Sequence, residues 1–305
     1  LDYLFKEEEK KEAEKESLLY LSTGLTLLNL ACSDRVDGGF LAGKYHFIVG
    51  DSASGKTFLV LTCLAEASID SRFDNYSFIY DGVEGGALMD IERFFGKKVK
   101  ERLKFPSSGF SQTVEEFYVN LDKEFERGKP FIYILDSMDS LSSMAERERF
   151  IALREAIEKG RDISGSYGDN KAKVNSTNLR RVMGPLQETG SILIIVNQTR
   201  DIFSGNPFET KGRSGGHALR FYATLELWLS IGGKIDRVIR GKKRTLGILC
   251  KVKVKKNRVT GKEKTIVFPL YYSYGIDDIG SMVDWLIDEN FWRKSLACKT
   301  NDGVQ

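Results

Sequence analysis

A strand, a glycine-bearing loop and a helix follow one another in residues 45–61, and this arrangement constrains the fold more than any other feature. The apolar run Tyr45–Val49 is typical of a buried strand, and residues 50–57 (GDSASGKT) fit the pattern G-x-x-x-x-G-K-[ST]. An apolar, helix-like pattern begins at Phe58. Gly50 and Gly55 allow backbone N–H groups to converge on a phosphate at the positive end of the helix. The segment therefore predicts a nucleoside triphosphate site.

The side chains of this loop have separate expected roles. Lys56 is expected to reach the terminal phosphates, and the hydroxyl of Thr57 to bind Mg²⁺. The other residues expected to contact the nucleotide here are Gly50, Asp51, Ser52, Ala53, Ser54 and Gly55. The alternative is a glycine-containing surface turn, but a chance match in a chain of this length is expected at roughly the 1% level.

Composition places the chain among globular proteins. Its 305 residues suffice for one large α/β domain with small appendages or for two modest domains, and 41% hydrophobic and 29% charged residues are ordinary values. The longest apolar runs are strand-sized, so we expect no transmembrane helix and no membrane partner. The charged N-terminal segment is unlike a signal peptide, which favours a cytoplasmic location. A net charge of +3 does not by itself indicate a polyanionic partner.

The four cysteines are far apart in the sequence and form no C-x-x-C pair. They are Cys32, Cys63, Cys250 and Cys298. This spacing predicts reduced thiols rather than a metal site.

The strand and helix patterns predict an α/β fold. Tyr76–Tyr80, Phe131–Leu135 and Ser191–Val196 are apolar on both faces and are separated by helical patterns, which favours a mostly parallel sheet covered on both sides. Segments 223–229, 245–254 and 265–268 alternate or lie close together, and we expect them to add antiparallel strands at one edge of that sheet.

Three regions are expected along the chain. Residues 1–21 would form a short helical arm, either solvated or docked on another protomer, and the sequence favours neither. Residues 22–276 would form the nucleotide-binding core. Residues 277–305 would form a small C-terminal module around an amphipathic helix at 281–287.

Carboxylates near strand ends are candidates for the metal and for water activation. Asp136 closes the third predicted strand, which we place beside the phosphate-loop strand, where an aspartate holds Mg²⁺ through water. A hydrolase also needs a carboxylate to orient the attacking water. Asp81 and Glu84 follow the second strand, and Glu84 is preferred because it lies further beyond the strand end.

A polar run and a long loop follow the fourth predicted strand. Gln198, in the run Asn197–Arg200, is expected to bond the terminal phosphate and to report its loss to the loop. Residues 200–216 are polar and glycine-rich, and long loops of this kind are usually functional. Their candidates for DNA contact are Arg200, Phe203, Lys211, Arg213, Gly215 and Gly216.

A second glycine-rich basic loop is predicted at residues 161–173, followed by a helix-like segment at 178–183. Its candidate DNA contacts are Lys171, Lys173, Arg180 and Arg181. Two such loops at the edge of the sheet that holds the phosphate site favour a nucleic-acid channel. Residues 234–264 are also strongly basic, either as an edge strand guarded by lysines or as a source of charges that reach a neighbouring protomer's nucleotide.

Taken together, the motifs from Ser22 to about Leu286 resemble the RecA-type strand-exchange recombinases, of a bacteriophage-like branch. Residues 22–24 (STG), the phosphate loop, Asp136–Ser137 and the run NQTR at 197–200 are each similar to a motif of that family. The most specific similarity is GNP at 205–207 followed by GGHALRFYA at 215–223, which resembles the family's second DNA loop and the next helix.

Further site residues are implied only by this resemblance. Lys256 and Arg258 match the basic pair that completes the ATP site across the filament interface, with arginine in place of a lysine. Tyr272 matches the tyrosine that stacks on adenine. Asp81 and Glu84 have two residues between them where the family usually has one.

The resemblance implies a RecA-like ATPase that uses ATP and Mg²⁺ and forms a helical filament on single-stranded DNA. Such a protein pairs that strand with a homologous duplex and exchanges strands, in the cytoplasm of a bacterium or phage-infected cell, at the nucleoid. One alternative is a mediator or scaffold of the same fold that binds ATP and assembles without exchanging strands. Another is a ring-forming helicase motor. Both would lack ATP-dependent, salt-sensitive coating of single strands.

Overall fold

A ten-stranded sheet carries the candidate site, and helices cover both of its faces. The structure is a computed structural model that describes residues 18–83, 89–159, 170–201, 211–213 and 216–293. The strands are β1 (Tyr20–Leu21), β2 (Phe40–Leu41), β3 (Tyr45–Gly50), β4 (Ser77–Gly82), β5 (Leu103–Lys104), β6 (Phe131–Asp136), β7 (Ile192–Asp201), β8 (Lys211–Arg213), β9 (Leu225–Ile239), β10 (Lys242–Asn257), β11 (Thr265–Tyr271) and β12 (Gly275–Ile276). The helices are α1 (Thr26–Ser33), α2 (Lys56–Ile69), α3 (Ile91–Phe95), α4 (Lys97–Arg102), α5 (Val114–Glu126), α6 (Met144–Glu158), α7 (Asn170–Thr189), α8 (His217–Tyr222) and α9 (Asp278–Asp288).

The central strands are parallel and buried on both faces. The order across the large sheet is β12-β11-β10-β9-β3-β7-β6-β4-β5, and β3, β4, β6 and β7 pair in parallel. All six residues of β3 and of β6 are buried. Strands with apolar residues on both faces bury them only when helices cover both sides, so the predicted α/β class and mostly parallel sheet are confirmed.

Two hydrophobic cores lie on opposite faces of this sheet. One packs α1, α2 and α3 against side chains such as Ile48 and Ile134, and the other packs α5, α7 and α8 against side chains such as Phe47 and Tyr133. Alternate residues of one strand thus enter different cores, as the period of two requires.

The predicted position of the Asp136 strand is wrong by one strand. β7 lies between β3 and β6, so the strand that ends at Asp136 is not the neighbour of the phosphate-loop strand. Strand order depends on pairing between distant segments, which local apolar patterns do not encode.

The antiparallel edge is confirmed, with one difference. β9 runs parallel to β3, and the antiparallel pairing begins at the next strand, between β9 and β10 and then between β10 and β11. β10 is therefore an interior strand, and its lysines do not guard an edge. β9 pairs with β3, and β10 pairs with β11, over only part of their lengths. Beyond those parts, β9 and β10 pair only with each other and form a two-stranded ribbon, of which residues 236–245 are exposed.

Both predicted DNA loops contain regular structure at their ends. Residues 170–173 form the first turn of α7 rather than a loop, and 161–169 lie outside the described residues. Residues 199–201 extend β7 and pair in antiparallel fashion with β8, so the second loop begins and ends in a hairpin. Residues 202–210 and 214–215 lie outside the described part of the chain.

The described ends of the chain pack on the core. β1 pairs with β2, and Leu21 is fully buried, so the last residues of the proposed arm belong to the core's packing. Asp278, at the start of α9, accepts hydrogen bonds from the backbone N–H and the hydroxyl of Thr26. Residues 1–17 and 294–305 lie outside the described residues. Within the described ranges, no helix is both long and apolar enough to cross a bilayer.

Candidate functional site

The phosphate loop joins the carboxyl end of β3 to the amino end of α2. Gly50 passes so close to β9 that a Cβ atom there would lie 2.4 Å from the carbonyl oxygen of Leu229. Gly55, the residue before α2, has φ of +92°, in the left-handed region that glycine adopts without strain. These two positions require glycine for different physical reasons, and together they direct the loop over the positive end of the helix.

The loop cradles a cleft of about 220 Å³. Its lining residues are Ser52, Ala53, Ser54, Gly55, Lys56, Thr57, Phe58, Met89, Asp136, Ser137 and Gln198. Lys56 Nζ donates to the carbonyl oxygens of Gly50 and Asp51 at 2.9 and 2.7 Å, which holds the ammonium over the loop. A cation, a helix amino end and curled backbone amides meet in this cleft, as a polyphosphate site requires.

A carboxylate and a hydroxyl meet at the floor of the cleft. Thr57 Oγ1 donates to Asp136 Oδ2 at 2.6 Å, and Tyr80 OH donates to the same oxygen at 3.1 Å. Asp136 is 3% exposed, so its charge is shielded from water and depends on these partners. Although β6 is two strands from β3, the side chains predicted to support Mg²⁺ do lie together, and their oxygen atoms are of the type that Mg²⁺ prefers.

Gln198 enters the same cleft from the neighbouring strand. It stands opposite Gly50 in the parallel register of β3 and β7, which brings it beside the first residue of the phosphate loop. Its backbone N–H donates to Asp139 Oδ2 at 2.5 Å. One residue later, Thr199 Oγ1 donates to Asp51 Oδ1 at 2.5 Å. The predicted sensor thus lines the cleft beside the phosphate loop.

Asp81 points away from the cleft. Its carboxylate is fully buried and accepts hydrogen bonds from the backbone N–H of Ser111 at 2.9 Å, the Ser111 hydroxyl at 2.5 Å and Tyr133 OH at 2.8 Å. Burial raises the pKa of Asp81 above its ordinary value, although its hydrogen bonds oppose the rise. Its place is in the core opposite α2, so Asp81 is a poor candidate for water activation. Glu84, the preferred carboxylate, lies outside the described residues.

The environment of Asp81 predicts a pH-dependent stability difference from Asp81→Asn. Because the folded-state pKa is raised, the contribution of Asp81 to stability is fully present below the unfolded-state pKa and is lost as pH rises through the folded-state value. The asparagine variant carries no such charge. We therefore expect the unfolding free energy of the variant, minus that of the wild type, to increase between pH 4 and pH 7, by at most about 1.4 kcal/mol per pH unit. Urea unfolding at several pH values measures it, and a flat or falling difference would contradict this account.

The residues proposed to contact DNA lie mainly on α7 and around the β7–β8 hairpin. Lys173 is exposed, whereas Lys171 is partly buried near Glu146 with 3.9 Å between charged atoms. Arg180 Nε donates to Tyr222 OH at 3.3 Å, which ties α7 to α8. Arg181 Nη1 donates to both carboxylate oxygens of Asp122 at 2.8 Å, so its guanidinium points towards α5, the helix that carries Asp122.

The remaining predicted contacts belong to the hairpin and its flanks. The backbones of Arg200, Lys211 and Arg213 lie in paired strands, and Phe203 and Gly215 lie outside the described residues. Gly216 precedes α8 with φ of +84°, and a Cβ atom there would lie 2.8 Å from Cβ of Ala172. Glycine at this position therefore permits close packing of the hairpin's end against α7.

The basic pair Lys256 and Arg258 lies at the opposite end of the sheet from its own phosphate loop. Lys256 Nζ donates to the carbonyl oxygens of Arg220 and Phe221 at 2.6 and 2.8 Å, and Arg258 Nη2 donates to that of Phe221 at 2.8 Å. These cations therefore cap the carboxyl end of α8, where the helix dipole favours positive charge. Within one protomer they do not approach the phosphate cleft.

Tyr272 lies in the turn between β11 and β12, and 59% of its side chain is exposed. The same turn approaches the phosphate loop, since a Cβ atom on Gly275 would lie 2.5 Å from Cζ of Phe58. An exposed aromatic ring close to the start of α2 suits stacking on a nucleobase.

Two polar residues that flank the cleft were given no role by sequence reasoning. Asp139 accepts the backbone N–H of Gln198, and Thr199, within the run Asn197–Arg200, donates to Asp51. Asp139 lies three residues after Asp136, and this second carboxylate after the strand was the one sequence feature that could have indicated its role. The described cysteines Cys32, Cys63 and Cys250 are free and buried, and no cluster of metal-ligating side chains occurs among the described residues.

Comparisons with known proteins agree with this geometry. A family model described as the RecA N-terminal domain matches residues 148–277. Protein RecA of Clostridioides difficile is 29% identical over 295 residues, which cover 93% of this chain and 74% of that protein. The chain is thus similar to RecA proteins over most of its length. Protein RecA of Cytophaga hutchinsonii is also 29% identical, with 93% and 73% covered, and that of Rhodospirillum rubrum is 28% identical, with 91% and 68% covered.

These relatives extend beyond the part that the family model matches. The matched residues 148–277 begin after Asp136 and include the sensor segment, the β7–β8 hairpin and the basic pair. The alignments to the three RecA proteins named above each cover more than nine tenths of this chain. The similarity to RecA proteins therefore extends over both halves of the nucleotide-binding core.

Proposed function

We propose that the chain is an ATP-dependent recombinase that coats single-stranded DNA as a helical filament and catalyses homologous pairing and strand exchange, with DNA-stimulated ATP hydrolysis. The observation that carries this proposal is the continuity of β7. Gln198 lines the phosphate cleft, and the same strand continues without a break into the hairpin with β8. A strand shared by a phosphate cleft and a basic, glycine-rich loop is suited to transmit nucleotide state to DNA contacts.

The residues of the cleft fit ATP and Mg²⁺. Backbone amides of the phosphate loop and Lys56 would bind the phosphates, Thr57 and Asp136 would support the metal, and Tyr272 would stack on the base. Bound Mg²⁺ would neutralise phosphate charge during transfer.

ATPase assays test the proposal. The rate is measured with and without single-stranded DNA, at two salt concentrations and several protein concentrations. We expect strong stimulation by DNA, a cooperative rise with protein concentration because each ATP site is shared between protomers, and a strand-exchange product in a subsequent assay. A slow rate that DNA does not change would reject the recombinase and favour a RecA-fold mediator or scaffold.

The basic residues of the β7–β8 hairpin yield a second test. We expect Lys211→Ala with Arg213→Ala to weaken single-strand binding. The slope of log K against log salt should become shallower by about 1.4, since each lost phosphate contact contributes about 0.7 for single strands. Fluorescence anisotropy over a salt series measures this slope.

A matched pair of exposed lysines on α4 supplies the control. Lys97→Ala with Lys98→Ala removes the same number of cations from a helix near the other edge of the sheet. That variant should keep the wild-type slope. An unaltered slope in the hairpin variant would remove Lys211 and Arg213 from the DNA contacts.

A further inference from the structure

Two carboxylates hold β7 at the point where it leaves the phosphate cleft. Asp139, in the short helical turn Met138–Ser140 after β6, accepts the backbone N–H of Gln198. Asp51, the second residue of the phosphate loop, accepts the hydroxyl of Thr199. The donor–acceptor distance is 2.5 Å in both bonds. Gln198 and Thr199, which are adjacent in β7, are thus held by residues that follow the two neighbouring strands, β6 and β3.

The bond between Thr199 and Asp51, unlike that between Gln198 and Asp139, connects the phosphate loop to the hairpin. Asp51 belongs to the phosphate loop, and its carbonyl oxygen also accepts from Lys56, a residue that lines the phosphate cleft. Thr199 is the first residue of β7 that pairs with β8, opposite Arg213. This side-chain hydrogen bond therefore links the phosphate loop directly to the first paired residue of the hairpin.

The bond between Thr199 and Asp51 lies on the opposite face of β7 from the Gln198 side chain. Successive residues of a strand point to opposite faces, so Thr199 is directed away from the face on which Gln198 lines the cleft. The bond to Asp51 consequently anchors the backbone behind Gln198 without occupying the cleft. Displacement of the phosphate loop would change the backbone position of both Gln198 and the hairpin.

We propose that Asp51 and Thr199 are a positioning pair that couples occupation of the nucleotide site to the β7–β8 hairpin. This inference rests on the proposed function, because it assigns DNA contact to the hairpin. A coupling pair and a purely structural hydrogen bond predict different behaviour. Loss of a structural bond lowers stability and all activities together, whereas loss of a coupling bond separates nucleotide binding from the response to DNA.

The experiment compares Thr199→Val, which has a similar shape but no hydroxyl, with Thr199→Ser, which keeps the hydroxyl. For Thr199→Val we expect nucleotide affinity and the rate without DNA within about twofold of wild type, and stimulation by single-stranded DNA reduced at least about fivefold, the lower end of typical coupling between sites. Thr199→Ser should retain most of the stimulation. Full stimulation in Thr199→Val, or equal loss in both variants, would overturn the proposal.

A double-mutant cycle tests whether Asp51 is the partner. If the two side chains act through one bond, Asp51→Asn combined with Thr199→Val should reduce stimulation no further than the more severe of the single variants. If the fold reduction of stimulation in the double variant equals the product of the reductions in the two single variants, the pairing is overturned. A wild-type protein whose ATPase DNA does not stimulate would reject the proposed function and this inference with it.

Hydrogen exchange gives a readout that does not depend on turnover. Addition of a non-hydrolysable ATP analogue with Mg²⁺ should change the exchange of the backbone amides of residues 200–201 and 211–213 in the wild type. The change should be absent in Thr199→Val, although the analogue still binds. An equal change in the variant would show that the hairpin responds by another route and would overturn the proposal.

Discussion

Lys56→Ala is expected to abolish ATP-dependent DNA binding and to lower ATP turnover by at least about 100-fold, the usual result of removing one donor that stabilises charge in a transition state. The ammonium is held over the phosphate loop by the carbonyl oxygens of Gly50 and Asp51. No other lysine or arginine lines the cleft among the described residues. The variant would therefore keep the backbone cradle but lose its cationic side chain.

The fold should survive this substitution. Lys56 is the first residue of α2, and alanine has a higher helix propensity than lysine. Lys56 lines the cleft, so water from the cleft can take the place of its ammonium at the two carbonyl oxygens. We expect unchanged circular dichroism and a change in unfolding free energy of about 1 kcal/mol, the worth of an ordinary hydrogen bond.

A control lysine lies at the other end of the same strand. Lys44 precedes β3, and its Nζ donates to Gln187 Oε1 at 3.1 Å, on the exposed surface. Lys44→Ala should leave nucleotide binding, turnover and DNA binding as in the wild type. Nucleotide titration and filter binding with both variants measure the contrast. Wild-type DNA binding by Lys56→Ala would refute the assignment of the phosphate loop.

The phosphate loop was predictable because its determinants are local. Gly50, Gly55 and Lys56 lie within seven consecutive residues, and the strand and helix that position them adjoin the loop directly. The strand cores at Phe131–Leu135 and Ser191–Val196 were predictable for the same reason, since a continuous apolar run between helical patterns has few other interpretations.

Features that depend on pairing across the sequence were predicted less well. The insertion of β7 between β3 and β6 is decided by contacts between segments that lie far apart in the chain. The apolar pattern of β9 ends near Leu229, yet the strand continues to Ile239 because β10 pairs with it residue by residue. Its polar, basic extension has no apolar alternation from which a strand could be predicted.

Side-chain partnerships were the least accessible from sequence. Asp81 and Asp136 both follow apolar strands, but a different position in the strand pleat turns Asp81 towards Ser111 and Tyr133 and Asp136 towards Thr57. The bond between Thr199 and Asp51 requires the register of β3 and β7, which only the folded sheet defines. The sequence shows which residues are acidic or carry a hydroxyl, but it does not show which way their side chains point in the folded sheet.

The position of Arg258 supports the proposal that each ATP site is completed by a neighbouring protomer. Arg258 follows Asn257, which pairs with Leu225, and Leu225 pairs with His46 near the amino end of β3. Gly50 is four residues further along β3, about 13 Å away at 3.3 Å per residue, and two strands to the side. Arg258 of one protomer therefore does not reach its own phosphate loop, and a role at ATP requires a head-to-tail contact between copies.

Mixing two inactive variants tests this arrangement. We expect Lys56→Ala and Arg258→Ala each to lose DNA-stimulated ATPase activity when assayed alone. In a randomly mixed filament, about one quarter of head-to-tail interfaces would combine an intact Lys56 with an intact Arg258. The equimolar mixture should then recover about one quarter of the wild-type rate, measured at constant total protein on saturating single-stranded DNA. A mixture of Lys56→Ala with wild type, at the same total concentration, calibrates the formation of mixed filaments. No recovery, despite mixed filaments, would place both residues in the same protomer's site or remove Arg258 from it, and full activity of Arg258→Ala alone would exclude the trans role directly.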